Sequence, residues 1–97
     1  MGRLKLRVSA LADDDLDDLY VEGFTTWGEK QADRYFNGLL ARFEQICDNP
    51  LMYPAVNDIR EGYRRSVYEK HAIYFVIDGD TVEIRAVVKH QNLSGRL

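Results

Sequence analysis

Ninety-seven residues suffice for one domain, and 45% apolar with 30% charged content is the balance of a soluble globule. The formal net charge of -3 lacks the basic excess of a general nucleic-acid binder, and the single cysteine, Cys47, excludes an internal disulfide or a cysteine-rich metal site. No apolar run approaches the roughly 20 residues that cross a membrane, and the N-terminus alternates charged with apolar residues instead of forming a secretory leader, which favours the cytoplasm. The charge is divided unevenly: residues 1–50 hold six Lys/Arg against ten Asp/Glu, and residues 51–97 hold seven against six.

Leu4, Leu6 and Val8 alternate with Arg3, Lys5 and Arg7, the pattern of a short edge strand with one buried face and a solvated basic one. Ser9 is placed to cap a helix beginning near Ala10. Ala12, Leu16, Leu19 and Gly23 recur at helical spacing, and Tyr20, Phe24 and Trp27 extend the apolar side, with Trp27 expected to close a helical hairpin. Asp13, Asp14, Asp15, Asp17 and Asp18 are read as a solvated face favoured by the helix dipole. They are not read as a metal site, because neighbouring helical positions fan out and no calcium-loop spacing is present.

Thr25-Thr26-Trp27-Gly28 breaks this helix, with Thr26 and Glu29 as a capping-box pair or Gly28 itself as the boundary. Ala32, Tyr35, Phe36, Leu39, Leu40, Phe43, Ile46 and Cys47 then form the most regular helical stripe in the chain, with Cys47 as a core residue. Asp48-Asn49-Pro50 stops the second helix. Residues 49–62 read as an ordered loop packed down by Leu51, Tyr53 and Val56.

Residues 62–90 carry the strand signal. Tyr63 to Tyr68 reads as one strand. Ala72 to Ile77 is apolar on both faces, with Ile73, Phe75 and Ile77 in one row and Ala72, Tyr74 and Val76 in the other, so it is expected to be central. Asp78-Gly79 marks a hairpin turn. Beyond it Val82, Ile84, Ala86 and Val88 are expected on one face, with Thr81, Glu83, Arg85 and Lys89 among the polar alternates. A three-stranded antiparallel sheet results, carrying a basic stripe of Arg64, Arg65, Lys70, Arg85, Lys89 and His90. Arg85 serves either as a cross-strand partner of Glu83 or Glu69 or as a partner contact, and His71 is expected to pack or hydrogen-bond at a strand start. The tail 91–97 lacks periodicity and is expected to be mobile.

Ser9-x-x-Ala12-x-x-Asp15-Leu16-x-x-Leu19, Trp27-Gly28, Ala32, Tyr35, Leu39 and Asn49-Pro50 form an ordered pattern. It continues through Ile59-Arg60-Glu61-Gly62-Tyr63-Arg64-Arg65, His71-Ala-Ile-Tyr-Phe75, Val82-Glu-Ile-Arg85 and Val88-Lys89-His90-Gln91. The pattern resembles the ParE branch of the RelE/ParE superfamily, the toxins of bacterial toxin–antitoxin pairs, over nearly the whole chain. The resemblance implies an α+β fold of order β-α-α-β-β-β, with an N-terminal strand and helical hairpin packed on a small antiparallel sheet. Residues 1–97 would form one toxin-like domain.

The resemblance also implies a non-enzymatic protein that poisons DNA gyrase by binding and blocks replication. A ParD-like antitoxin would neutralise it through a C-terminal segment, and no cofactor, metal, membrane or direct sequence-specific DNA contact would be involved. Contacts to antitoxin or target are expected from Arg60, Tyr63, Arg64, Arg65, Tyr74, Arg85, Lys89 and His90. The other branch of the superfamily, ribosome-dependent messenger-RNA endonucleases, is the alternative. There Arg65 and Arg85 would stabilise phosphate and His90 would exchange protons. Against it, Gln91-Asn92 follow His90 with no terminal Tyr, and residues 44–62 contain no lysine cluster.

Overall fold

The computed structural model describes residues 3–90, so the tail 91–97 lies outside the described residues. Strand β1 (Lys5–Val8) leads into helix α1 (Ala10–Trp27). Ser9 sits in an extended conformation, and its Oγ accepts from the Ala12 amide at 3.1 Å, satisfying one of the free N–H groups of the first turn. Gly28 separates α1 from α2 (Glu29–Asp48) by a single residue, at φ 93° and without a side-chain cap. The boundary is therefore Gly28 itself; the Thr26–Glu29 capping box does not form, because Thr26 is still inside α1.

The helical stripe of α2 holds almost throughout. Ala32, Leu39, Phe43, Ile46 and Cys47 are buried, whereas Leu40 is on the exposed side. A 3-10 turn, Pro50–Met52, and an irregular segment lead to β2 (Arg64–Tyr68), β3 (His71–Asp78) and β4 (Thr81–Lys89).

The strands form one four-stranded sheet in the order β1-β4-β3-β2. Strands β2, β3 and β4 are antiparallel neighbours, with β3 central as its two apolar rows require. The fourth strand makes the sheet mixed: β1 runs parallel to β4, pairing Leu6 with Val82 and Val8 with Ile84. Its alternating sequence specified a strand but not its neighbour, which depends on where the helical hairpin returns the chain. The β3–β4 loop is Gly79-Asp80, since Asp78 still pairs with Thr81; Gly79 takes φ 62°, a region open to glycine.

The expected face of β4 changes midway. The register passes from Phe75–Ile84 to Tyr74–Ala86, leaving Arg85 as an extra residue in a bulge. Val82 and Ile84 face the helices; past the bulge that face belongs to Val87, while Ala86 and Val88 join the opposite side. The single alternating row Val82-Ile84-Ala86-Val88 is thus split between two clusters. The larger lies between sheet and helices, around Leu16, Leu39, Phe43, Ile46, Ile73, Phe75, Val82, Ile84 and Val87. The smaller lies on the outer face, where Val56, Ile59 and Tyr63 cover Ala72, Tyr74, Ala86 and Val88.

The bulge interrupts the ladder, and α1 compensates for it. Asp15 Oδ2 accepts from the Val87 amide at 2.9 Å. Burial pushes the Asp15 carboxyl above its usual range, against the pull of that amide; Asp18 and Asp14 push it the same way as burial. One of the five aspartates is therefore a structural ligand of the sheet. The β2 edge is closed as well. Arg42 of α2 donates to Ser66 Oγ at 2.9 Å and to the Val67 carbonyl at 3.0 Å, and Ala55 bridges to Arg64.

Candidate functional site

The outer face of the sheet gathers part of the expected contact set. The segment before β2 is laced to itself: the Val56 amide donates to the Tyr63 carbonyl at 2.8 Å, and the Gly62 amide donates to Asn57 Oδ1 at 2.8 Å, with Gly62 at φ 84°. This brings Tyr63 beside Arg85, which the bulge has turned outward. Arg85 Nε donates to the Tyr63 hydroxyl at 3.2 Å, and its guanidinium carbon lies 5.8 Å from the ring centre. Arg60 lies on the same ring at 5.6 Å. Burial pushes the Tyr63 phenol up, but Arg60 and Arg85 outweigh it and hold the pKa below the ordinary tyrosine value.

Arg85 is itself oriented by a row of charges. Glu83 Oε1 accepts from Arg85 Nη1 at 2.8 Å, and Glu83 Oε2 accepts from Arg7 Nε at 3.0 Å. Arg7 Nη2 also reaches Asp78 at 3.2 Å. The hydrogen bonds from Arg85, then from Arg7, hold the Glu83 carboxyl below its usual range. The pairs are exposed and contribute little stability singly; their effect is to fix directions.

The rest of the set is dispersed. Arg65 lies half-buried in the row Arg65–Tyr74–Ala86 of the outer face. Tyr74 is 1% exposed beneath Val56, so it cannot touch a partner unless the covering segment moves, and its hydroxyl has no hydrogen-bond partner among the described residues. Of the second apolar row of β3, Ala72 and Tyr74 are covered by Val56, Ile59 and Tyr63, while Val76 stays half-buried. Arg64 faces the helices and donates to the Tyr53 carbonyl at 2.7 Å. Lys89 also lies on the helix side and pairs with Glu22 at 2.6 Å. His90 lies just beyond β4, its amide donating to the Lys70 carbonyl at 2.7 Å. It lies five positions beyond Arg85, ~16 Å along the strand. The basic stripe is thereby broken over two faces, and Arg65, Arg85 and His90 do not converge on one phosphate.

Two features escaped the sequence. A cleft of about 450 Å³ opens where the helical hairpin meets the β2–β3 turn, lined in part by Leu19, Glu22, Trp27, Tyr35, His71 and Lys89. Trp27 is 68% exposed at its rim and does not close the hairpin, since α1 ends there and α2 turns away after one residue. At the cleft floor the Tyr35 hydroxyl and His71 Nδ1 lie 2.7 Å apart, which meets the expectation that His71 hydrogen-bonds at its strand start. Burial holds the His71 imidazole below its usual value and pushes the Tyr35 phenol up to about 12.

The second feature is the outward side of the hairpin. Tyr20 contacts Phe36 edge-on at 5.6 Å and Phe24 at 6.4 Å, and its hydroxyl donates to Asp33 at 2.6 Å. Phe24 of α1 is 50% and Leu40 of α2 38% exposed, and Val21 of α1 is open as well. Helix α1 carries six acidic and no basic residues. The helical spacing of Tyr20, Phe24 and Trp27 was the available signal for this surface, although it read as core. Among the described residues no group of three or more His, Cys, Asp or Glu gathers as metal ligands, and no helix is long and apolar enough to cross a membrane.

A helical hairpin on one face of a four-stranded mixed sheet, in the order β-α-α-β-β-β, defines a small α+β protein of the RelE/ParE fold. A chain of the chromosomal ParDE toxin–antitoxin system from P. aeruginosa has the same fold, with a TM-score of 0.79 at 16% identity over 90% of this chain and 96% of that one. So does a chain of the RelBE2 toxin–antitoxin complex from Mycobacterium tuberculosis, with a TM-score of 0.70 at 18% identity over 95% and 97%. In sequence, the chain is 36% identical over 90 residues to Toxin ParE1 of Caulobacter vibrioides, covering 93% of this chain and 92% of that protein. It is 26% identical over 87 residues to Toxin ParE1 of Mycobacterium tuberculosis, covering 89% and 88%. Residues 6–93 match the family described as ParE toxin of type II toxin-antitoxin system, parDE, and the chain belongs to that family.

Proposed function

We propose that this ParE-type toxin acts by binding DNA gyrase in the cytoplasm, raising DNA cleavage and blocking replication without chemistry of its own. A ParD-like antitoxin neutralises it through a C-terminal segment. The observation that carries this reading is the family match over residues 6–93. The dispersal of Arg65, Arg85 and His90 supports binding over catalysis, because transfer of a phosphoryl group needs its donors and proton carriers around one atom.

For the antitoxin, the outward side of the hairpin, with exposed Phe24 and Leu40 beside half-buried Tyr20 and Phe36, offers an apolar surface that an amphipathic segment laid along it would bury. The acidic flank of α1 favours a segment with Lys or Arg beside its apolar anchors.

The deciding experiment combines purified toxin, gyrase, ATP and supercoiled DNA. Cleaved complexes are expected to accumulate over a toxin titration, and toxin with DNA alone is expected to leave the DNA intact. Intact supercoiling and no excess cleavage, at concentrations that arrest growing cells, would reject gyrase as the target. Messenger-RNA cutting by toxin with translating ribosomes would replace this reading with the nuclease one.

A further inference from the structure

We infer that Arg60, Tyr63 and Arg85 form a clamp for a single carboxylate, an Asp or Glu side chain presented by the target protein. The Tyr63 phenol accepts from Arg85 Nε, so its own proton is free to be donated. Of the Arg85 guanidinium, Nε is spent on Tyr63 and Nη1 on Glu83, which leaves Nη2 for a ligand. Arg60 is exposed on the same ring. An oxyanion between the two guanidiniums would receive the phenol O–H and N–H groups from both sides, in the charge-assisted geometry that arginine gives to carboxylates.

The clamp is set before the ligand arrives. The row Asp78–Arg7–Glu83–Arg85 fixes the guanidinium, and the hydrogen bonds of residues 56–63 fix the ring. That arrangement lowers the ordering cost of binding.

The local charge selects one anion over a polyanion. Asp78 and Glu83 sit within the same row, and Glu61 adjoins Arg60 in sequence, so the cationic excess is small. A nucleic-acid backbone needs several phosphates neutralised together.

This inference rests on the reading of the chain as a protein-binding toxin, yet its test uses the toxin alone and so fails separately from that reading. Isotope-labelled toxin is titrated with sodium acetate and, in parallel, with dimethyl phosphate, ionic strength being held with chloride. Acetate is expected to shift the Arg60 and Arg85 Nε–H and the Tyr63 ring resonances saturably, with a dissociation constant on the order of 10 mM. Tyr63→Phe, which keeps the ring and removes the donor, and Arg60→Gln, at an exposed position, should each weaken acetate about fivefold, while Asp17→Asn, exposed on α1, leaves it unchanged. Absence of saturable shifts, or unchanged affinity in Tyr63→Phe and Arg60→Gln, overturns the clamp. Tighter binding of dimethyl phosphate than of acetate overturns the assignment to a protein carboxylate and assigns the clamp to a nucleic-acid phosphate.

Discussion

At Gly38 the absence of a side chain decides how α2 meets the sheet. A Cβ there would run into the Tyr68 hydroxyl, and Tyr68 is held by the Tyr35 ring at 5.4 Å and the Arg42 guanidinium at 5.3 Å. Gly38→Ala should therefore destabilise the fold by about 1–2 kcal/mol, although alanine is the better helix former. Urea unfolding of Gly38→Ala in the Tyr68→Ala background should show the opposite sign, because the obstacle is gone. His71 carries a pH dependence. Burial lowers its folded pKa, Glu22 raises it and Lys89 lowers it, while Tyr35, Glu69 and Lys70 also line its cleft. The unfolded chain binds this proton near the ordinary value and the folded chain only at lower pH. The contribution is thus complete above that ordinary value and is lost as pH falls from it through the folded pKa. Between about pH 7 and pH 5 the wild type should lose ~0.5–1 kcal/mol relative to His71→Gln, a figure discounted for partial exposure. Parallel urea midpoints of the two proteins that do not diverge over that range would show that the imidazole titrates normally.

The bulge in β4 acts at the scale of an element. It re-aims Arg85 toward Tyr63 and moves Val87 into the main core, and Asp15 of α1 receives the amide it leaves. Asp15→Ala should cost about 1–3 kcal/mol by stranding the Val87 amide, and Asp15→Asn should recover most of this, since its amide oxygen can still accept. Asp14→Ala, one position along on the exposed face, should change stability by less than about 0.5 kcal/mol. Equal urea midpoints for Asp15→Ala and Asp14→Ala would contradict the role assigned to Asp15. The bulge was only half legible in the sequence. Val87-Val88 breaks the alternation of β4 and marks a change of phase, but it does not say which residue is extra. Likewise five aspartates on one helix read alike, and only the position of β4 distinguishes the one that turns inward.

For the whole molecule, the two surfaces lie on opposite sides of the sheet, so their functions should separate. Phe24→Lys together with Leu40→Lys on the hairpin should weaken antitoxin binding at least tenfold by calorimetry and leave gyrase-dependent DNA cleavage intact. Loss of both activities in a folded double variant would mean that the hairpin also meets the target.

Local pattern alone determined the strand–helix–helix–strand–strand–strand order, the cap at Ser9, the buried stripe of α2 and the centrality of β3, because burial repeats at the period of the element that buries it. The ordered motifs also carried the family. Only the tertiary structure decided that β1 runs parallel beside β4, that residues 56–63 seal Tyr74, and that the arginines part company across the sheet. Each of these depends on contacts between segments far apart in sequence. Alternation says that a residue has a partner across the sheet, and the packing of the helical hairpin and the position of one bulge choose which.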